Sequence, residues 1–277
     1  RNNIDAMHEE FTILAGNKEN YLTKILNINL LKDTWVAATG SLNTARFAQA
    51  GGGTQNSAFI FGGLGSGNVA LNVTELYNGS SWATSGTYTA SLNGPGGTGI
   101  QNAGLGAGGN NGGVFSNHSS KFNGSTWTAT GNLNASRNGP SLTGIQNAGL
   151  SVGGESSSNT PTTACSTFNG SSWSSTTSLN TARSTNTCGL QNAAIAAGGN
   201  NSVGGNFSSV EVFNGSVWVV HPAAITSAKT FGSLNGSIAA AIAAGGSNGA
   251  ALSICEKFNG SMWVLTGSLN TGRSQSS

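Results

Sequence analysis

Every Trp in this chain marks a repeat. Trp35, Trp82, Trp127, Trp173, Trp218 and Trp263 are separated by 47, 45, 46, 45 and 45 positions. A period of this size signals an array of supersecondary units, none of which can bury its apolar faces alone. A pair of glycines precedes each of the last five: Gly62-Gly63, Gly108-Gly109, Gly153-Gly154, Gly198-Gly199 and Gly245-Gly246. The first unit carries Ala15-Gly16 instead. Gly16 to Trp35 spans 19 positions, as Gly63 to Trp82 does, which brings the divergent N-terminus into register. A third marker follows the Trp: SLNTAR at 41–46 and 178–183, NLNASR at 132–137, and SLNTGR at 268–273.

Within a unit the pattern is that of strands. SAFIFGG (57–63), QNAGLGAGG (101–109) and QNAAIAAGG (191–199) are short, apolar and rich in small residues, and the Gly pair stops each one. They suit a tightly packed inner position, where blades converge. SSVEVFNGSVWVV (208–220) places two β-rich runs around Asn-Gly, which predicts a hairpin through a type I′ turn. The same dipeptide recurs at Asn78, Asn123, Asn169, Asn214 and Asn259, four residues before each Trp and one after an aromatic: Tyr77, Phe122, Phe168, Phe213 or Phe258. Four strands per repeat, with no helical period, fit a propeller blade.

A Gly-pair strand, a variable loop, an aromatic, a Trp on the next strand and a Leu-containing turn ending in Arg together resemble the Kelch repeat of β-propellers, the type of galactose oxidase's central domain. The resemblance implies an all-β fold: a six-bladed Kelch-type propeller with four antiparallel strands per blade. The chain reads as one domain over 1–277, with repeat units at about 1–40, 41–86, 87–131, 132–177, 178–222 and 223–277. Residues 273–277 look like the start of a further inner strand that would latch the ring onto the N-terminal blade; the other reading is a piece cut from a longer array. There are departures. The first copy lacks the Gly pair, the aromatic and the Asn-Gly; the third has SLNGPG (91–96) where Arg is expected; the sixth has Lys229, within ITSAK.

Composition narrows function. Charged residues are 7% of the chain, so Asn, Ser, Thr and Gly must cover the surface. A net charge of +2 is too small to neutralise a run of phosphates, so nucleic-acid binding is not expected. The longest apolar run, Ile238 to Ala244, is far short of the ~20 residues of a membrane span, so a soluble protein without membrane insertion is expected. No signal peptide is visible, and the chain opens at Arg1 as a processed form or part of a longer protein. Cys165, Cys188 and Cys255 are odd in number, form no CxxC, and read as small buried hydrophobes. Residues 1–33 hold nine of the 20 ionic groups, so the first unit either meets another part of the protein or another subunit, allowing oligomers, or is a solvated edge.

Groups for chemistry are few. Only Asp5 and Asp33 and seven Glu supply carboxylates, and His8, His118 and His221 lack ligand-like spacing. Glu75 and Glu211 occupy matching positions seven before Trp, hence separate blades, too far apart for paired-carboxylate hydrolysis. Some Kelch-type propellers are copper radical oxidases with Tyr, His and a Tyr-linked Cys; no His cluster accompanies Tyr21, Tyr77 and Tyr88 here. No catalytic residue, cofactor or metal is expected. The numerous Asn-Gly-Ser strings match the N-glycosylation pattern, although the turn already accounts for them.

One constellation remains. Arg46, Arg137, Arg183, Lys229 and Arg273 recur at one repeat position and should form a cationic ring on one side of the propeller. The resemblance implies that such residues line a shallow pocket at the channel mouth and hold acidic groups; alternatively, each bonds loop carbonyls of its neighbour. The expected function is that of a non-catalytic recognition or structural propeller on a virus particle, such as a tail fibre, or on a cell exterior. Its partners would be host glycans, receptors or neighbouring subunits, met through the loops after each Gly pair. The viral setting is read from composition alone. A Kelch adaptor for acidic peptides is the alternative; an oxidase or glycan-active enzyme comes behind both.

Overall fold

The computed structural model describes residues 40–156, 160–201, 205–230 and 232–274, all within the unit Val36–Ser277. The first repeat, with Trp35 and the charged N-terminal residues, and the chain from 275 onward lie outside the described residues.

Five antiparallel four-stranded blades follow one another along the chain. Blade 1 comprises β1 (Ala50–Thr54), β2 (Ser57–Phe61), β3 (Val73–Tyr77) and β4 (Trp82–Thr87). Blade 2 comprises β5 (Gly96–Ile100), β6 (Ala103–Ala107) and, after a small ribbon of β7 (Asn110–Asn111) and β8 (Val114–Phe115), β9 (Ser119–Phe122) and β10 (Trp127–Ala129). Blade 3 holds β11 (Ser141–Ile145), β12 (Ala148–Val152), β13 (Cys165–Phe168) and β14 (Trp173–Thr176). Blade 4 holds β15 (Ser184–Leu190), β16 (Ala193–Asn200), β17 (Val210–Phe213) and β18 (Trp218–His221). Blade 5 holds β19 (Ser233–Gly236), β20 (Ala241–Ala244), β21 (Cys255–Phe258) and β22 (Trp263–Leu265). This is an all-β propeller with five blades among the described residues, where six were expected.

Strands pair in chain order, and the first strands of successive blades touch: β1 with β5, β5 with β11, β11 with β15, β15 with β19. The innermost strand is therefore the Gly- and Thr-rich one, such as GGTGI in β5. The apolar strand that ends in the Gly pair, expected innermost, is second. The reason is contact distance: a Cβ on Gly52 would lie 2.7 Å from Gly99 O, so the inner backbones are too close for apolar side chains. Thr98 Oγ1 donates to Gly144 O at 2.8 Å and Thr143 Oγ1 to Gly189 O at 2.7 Å, tying neighbouring inner strands together.

The apolar seams lie between blades. Each is a cluster of second-strand residues from one blade and the Trp of the next: Phe59 and Phe61 with Trp127; Leu105 and Ala107 with Trp173; Leu150 and Val152 with Trp218; Ile195 and Ala197 with Trp263. Volumes are matched across the seam. Where blade 1 offers Phe59 and Phe61, blade 2 answers with Gly104 and Gly106, on which a Cβ would sit 2.6 Å from the Phe59 and Phe61 rings. The smaller Leu150 and Val152 share their cluster with Ala194 and Ala196.

Each of these indoles also has a cross-seam partner position three residues before the repeat aromatic. Trp127 Nε1 donates to Thr74 Oγ1 at 2.9 Å and Trp173 Nε1 to Ser119 Oγ at 3.0 Å. The Trp218 N–H faces Cys165 without a full hydrogen bond, and the position opposite Trp263 is Val210, so that N–H has no acceptor. Burial pushes the Cys165 thiol up to about 11, partly countered by Trp218 among other groups.

The hairpin between third and fourth strands is not a type I′ turn. Phe122 pairs with Trp127, leaving four residues between them. Among the described residues only Ala48 and Asn68 are non-glycines with positive φ, so Asn123 is not left-handed, while Gly124 is, at φ 98°. Asn123 Oδ1 instead accepts the Ser125 and Thr126 N–H groups at 3.0 and 2.8 Å, an Asx turn. Asn78, Asn169, Asn214 and Asn259 do the same. This longer loop puts the aromatic directly opposite Trp, with ring centroids 4.9 to 5.1 Å apart in all five blades.

A buried donor without an acceptor is destabilising, so Val210→Thr, which places a hydroxyl where blade 1 has Thr74, should raise stability by about 0.5–1 kcal/mol. Urea denaturation checks this; lower stability would show that the Trp263 N–H does not face that position.

Candidate functional site

Three of the repeated cations are buried in ion pairs. Arg46 NH2 lies 2.5 Å from Glu75 Oε1, Arg183 NH2 2.7 Å from Glu211 Oε1, and Lys229 Nζ 3.4 Å from Glu256 Oε1, with all six side chains buried. Lys229 and Arg183 each join two blades. The Lys229 N–H donates to Phe207 O and its carbonyl accepts the Gly199 N–H, both in blade 4, while its ammonium reaches Glu256 in blade 5. Arg183 O accepts Gly154 N–H in blade 3, and its guanidinium reaches Gly198 O, Ser209 O and Glu211 in blade 4.

The carboxylates also hold the connecting loop. Glu75 accepts the Asn43 and Thr44 N–H groups, Glu211 that of Asn180, and Glu256 that of Thr226. Burial lowers the Arg183 pKa, offset by the charge and hydrogen bond of Glu211. Arg137 is buried to 3% exposure but has no carboxylate: NH1 donates to Ala164 O and NH2 to Ser166 Oγ. Burial lowers its pKa, with Cys165 opposing. Arg273 is exposed, its backbone bonded to Leu252 and Gly246 in blade 5.

Blade 2 replaces the whole device. Tyr88 N donates to Asn72 O and Leu92 N to Leu71 O, as Leu133 N does to Asn117 O and Arg137 N to Ser116 O in the next unit. Leu92 of SLNGPG therefore stands at the cation position, not at the repeat-Leu position, which Tyr88 fills. Ser120 takes the place of the Glu, and a cluster of polar side chains forms around it. His118 Nε2 lies 2.6 Å from Thr89 Oγ1 and 2.8 Å from Ser120 Oγ. Burial lowers the His118 pKa and raises that of Tyr88. Ser120 is fully buried, so this contact does not present a nucleophile to solvent.

Gln forms a second bolt, one that sequence reading missed. Gln101 Nε2 donates to Ala58 O and Tyr77 O of the preceding blade, Gln146 Nε2 to Gly104 O and Phe122 O, and Gln191 Nε2 to Gly149 O and Phe168 O. Its signal was the Gln-Asn repeated at 55, 101, 146 and 191.

What remains exposed on the loop side are the tips after each Gly pair. Val114 is 73% and Val69 61% exposed, and a Cβ on Gly67, Gly112, Gly113 or Gly249 would meet nothing within 4 Å. Phe47, beside Arg46, is 46% exposed. The parts of the loops at 157–159 and 202–204 lie outside the described residues. Among the described residues no group of His, Cys, Asp and Glu is placed to hold a metal ion, and no helix is long and apolar enough to cross a membrane.

These features define the chain as a β-propeller of four-stranded blades joined by aromatic and ionic seams. In comparison with known proteins, no family model matches the chain and no curated protein matches it.

Removing one member of a buried ion pair strands the other. Glu211→Gln should therefore cost about 3–5 kcal/mol, whereas Arg183→Leu with Glu211→Ser, the combination that blade 2 carries, should cost clearly less than that single change. Urea unfolding of the three proteins decides; a double variant at least as unstable as Glu211→Gln contradicts the pairing account.

Proposed function

We propose that this chain is a non-catalytic recognition and structural propeller of the Kelch type, with a six-bladed ring completed beyond the five described blades. It works on the exterior of a virus particle or cell, and its loop tips bind host-surface glycans, receptors or neighbouring subunits. The observation that carries this reading is where polar chemistry is spent. The described ion pairs are buried, while the loops that differ most between repeats project small, uncharged and apolar residues such as Gly112, Gly113 and Val114. A rigid frame that presents variable tips suits binding better than bond-making. The alternative adaptor reading needs accessible cations for acidic peptides, and burial of Arg46, Arg137, Arg183 and Lys229 counts against it.

The test is a glycan and peptide binding screen of the whole chain, alongside its detection in purified particles or surface fractions. Val114→Asp and Val69→Asp should abolish a glycan or receptor signal while changing stability by less than about 0.5 kcal/mol, as for ordinary surface substitutions. Binding of acidic peptides that survives both changes would support the adaptor reading instead.

A further inference from the structure

The five blades provide an internal comparison at one site. In blades 1, 4 and 5 a carboxylate from the third strand sits between a buried cation and the N–H of the residue three positions before that cation: Glu75 with Arg46 and Asn43, Glu211 with Arg183 and Asn180, Glu256 with Lys229 and Thr226. In blade 2 cation and carboxylate are both gone, as Leu92 and Ser120. Blade 3 alone keeps the cation and loses the anion. Arg137 has Ser166, three heavy atoms shorter than Glu, where the carboxylate would be.

The donors of blade 3 are correspondingly underused. Arg137 gives one bond to a carbonyl and one to the Ser166 hydroxyl, whereas Arg183 reaches Gly198 O, Ser209 O, Ser209 Oγ and Glu211; the Nε of both is without a partner. Neither Asn134 N nor Ala135 N, the counterparts of Asn43 N and Thr44 N, donates a hydrogen bond among the described residues. A guanidinium held at 3% exposure without a counter-charge is costly, and burial already works against its charged form.

We propose that blade 3 binds a small monovalent anion, of the size of chloride or formate, between the Arg137 guanidinium, the Ser166 hydroxyl and the Asn134–Ala135 backbone N–H groups. The ion takes the position and the charge that Glu75, Glu211 and Glu256 supply covalently in their own blades. Converging N–H groups beside a guanidinium form a recognised kind of anion site. Asn134 and Ala135 are exposed, so the ion enters past the loop rather than through the sheet. A multivalent anion is disfavoured, because the site carries one positive charge.

A ligand that binds only the folded state raises the melting temperature in proportion to its occupancy. At equal ionic strength the whole chain should melt about 3 °C higher in sodium chloride or formate than in sodium isethionate, whose anion is too large, and should broaden the 35Cl NMR line. Ser166→Glu supplies the missing carboxylate and should abolish both effects; Arg137→Leu, which copies Leu92, removes the cation and should abolish them too. If Ser166→Glu fails to fold, Arg137→Leu still decides. Equal melting in the three salts without broadening of the 35Cl line overturns the proposal, and so does anion dependence that either folded variant retains.

Discussion

The contact on which this propeller depends is an indole from one blade laid against the second strand of the blade before it. No blade has a core of its own; the four apolar clusters each draw residues from two blades. Trp127, Trp173, Trp218 and Trp263 are 5–7% exposed, and each also stacks on the aromatic directly across its own hairpin. A large ring in a fixed two-sided slot contributes several kcal/mol by burial and sets the spacing between neighbours. Neighbouring positions are adjusted around it, as where Gly104 and Gly106 face Phe59 and Phe61 while Ala194 and Ala196 share a cluster with Leu150 and Val152.

Polar bolts then lock the register. Of the 11 ionic residues that follow residue 33 (20 less the nine before it), seven have buried side chains: Arg46, Glu75, Arg137, Arg183, Glu211, Lys229 and Glu256. This inverts the usual distribution of charge. A buried pair adds little net stability over an apolar substitute, but it punishes misalignment severely, because a blade that slips leaves a bare charge behind. The Gln bolts and the Thr-to-carbonyl bonds around the innermost strands act in the same way with neutral groups. The exterior is left to Asn, Ser, Thr and Gly, free to vary without touching the frame.

The aromatic-to-Trp spacing and the Gly pairs were legible because they recur at fixed short separations. Strand type, the four-stranded blade and the Trp seams follow from them, although six blades were expected where five are described. The rest required three dimensions. Arg183 and Glu211 are 28 residues apart, and nothing local in the chain marks them as partners; the clue lay in Glu256, which shares the position of Glu75 and Glu211 and occurs in a unit that also keeps its cation. SLNGPG misled because its Leu imitates the repeat Leu, while backbone bonding puts Tyr88 there. Asn-Gly suggested the shortest hairpin, yet the Asn side chain caps a longer loop that brings Phe or Tyr opposite Trp.

The cross-seam role of the indole is best tested by a double-mutant cycle on Trp173 and Ser119, which belong to adjacent blades and are bonded through Nε1 and Oγ at 3.0 Å. Trp173→Phe and Ser119→Ala should be coupled by about 0.5–1.5 kcal/mol, the double variant being less destabilised than the sum of the two single changes. Strict additivity would mean that the indole of one blade is not bonded to its neighbour, and the seam account would fail.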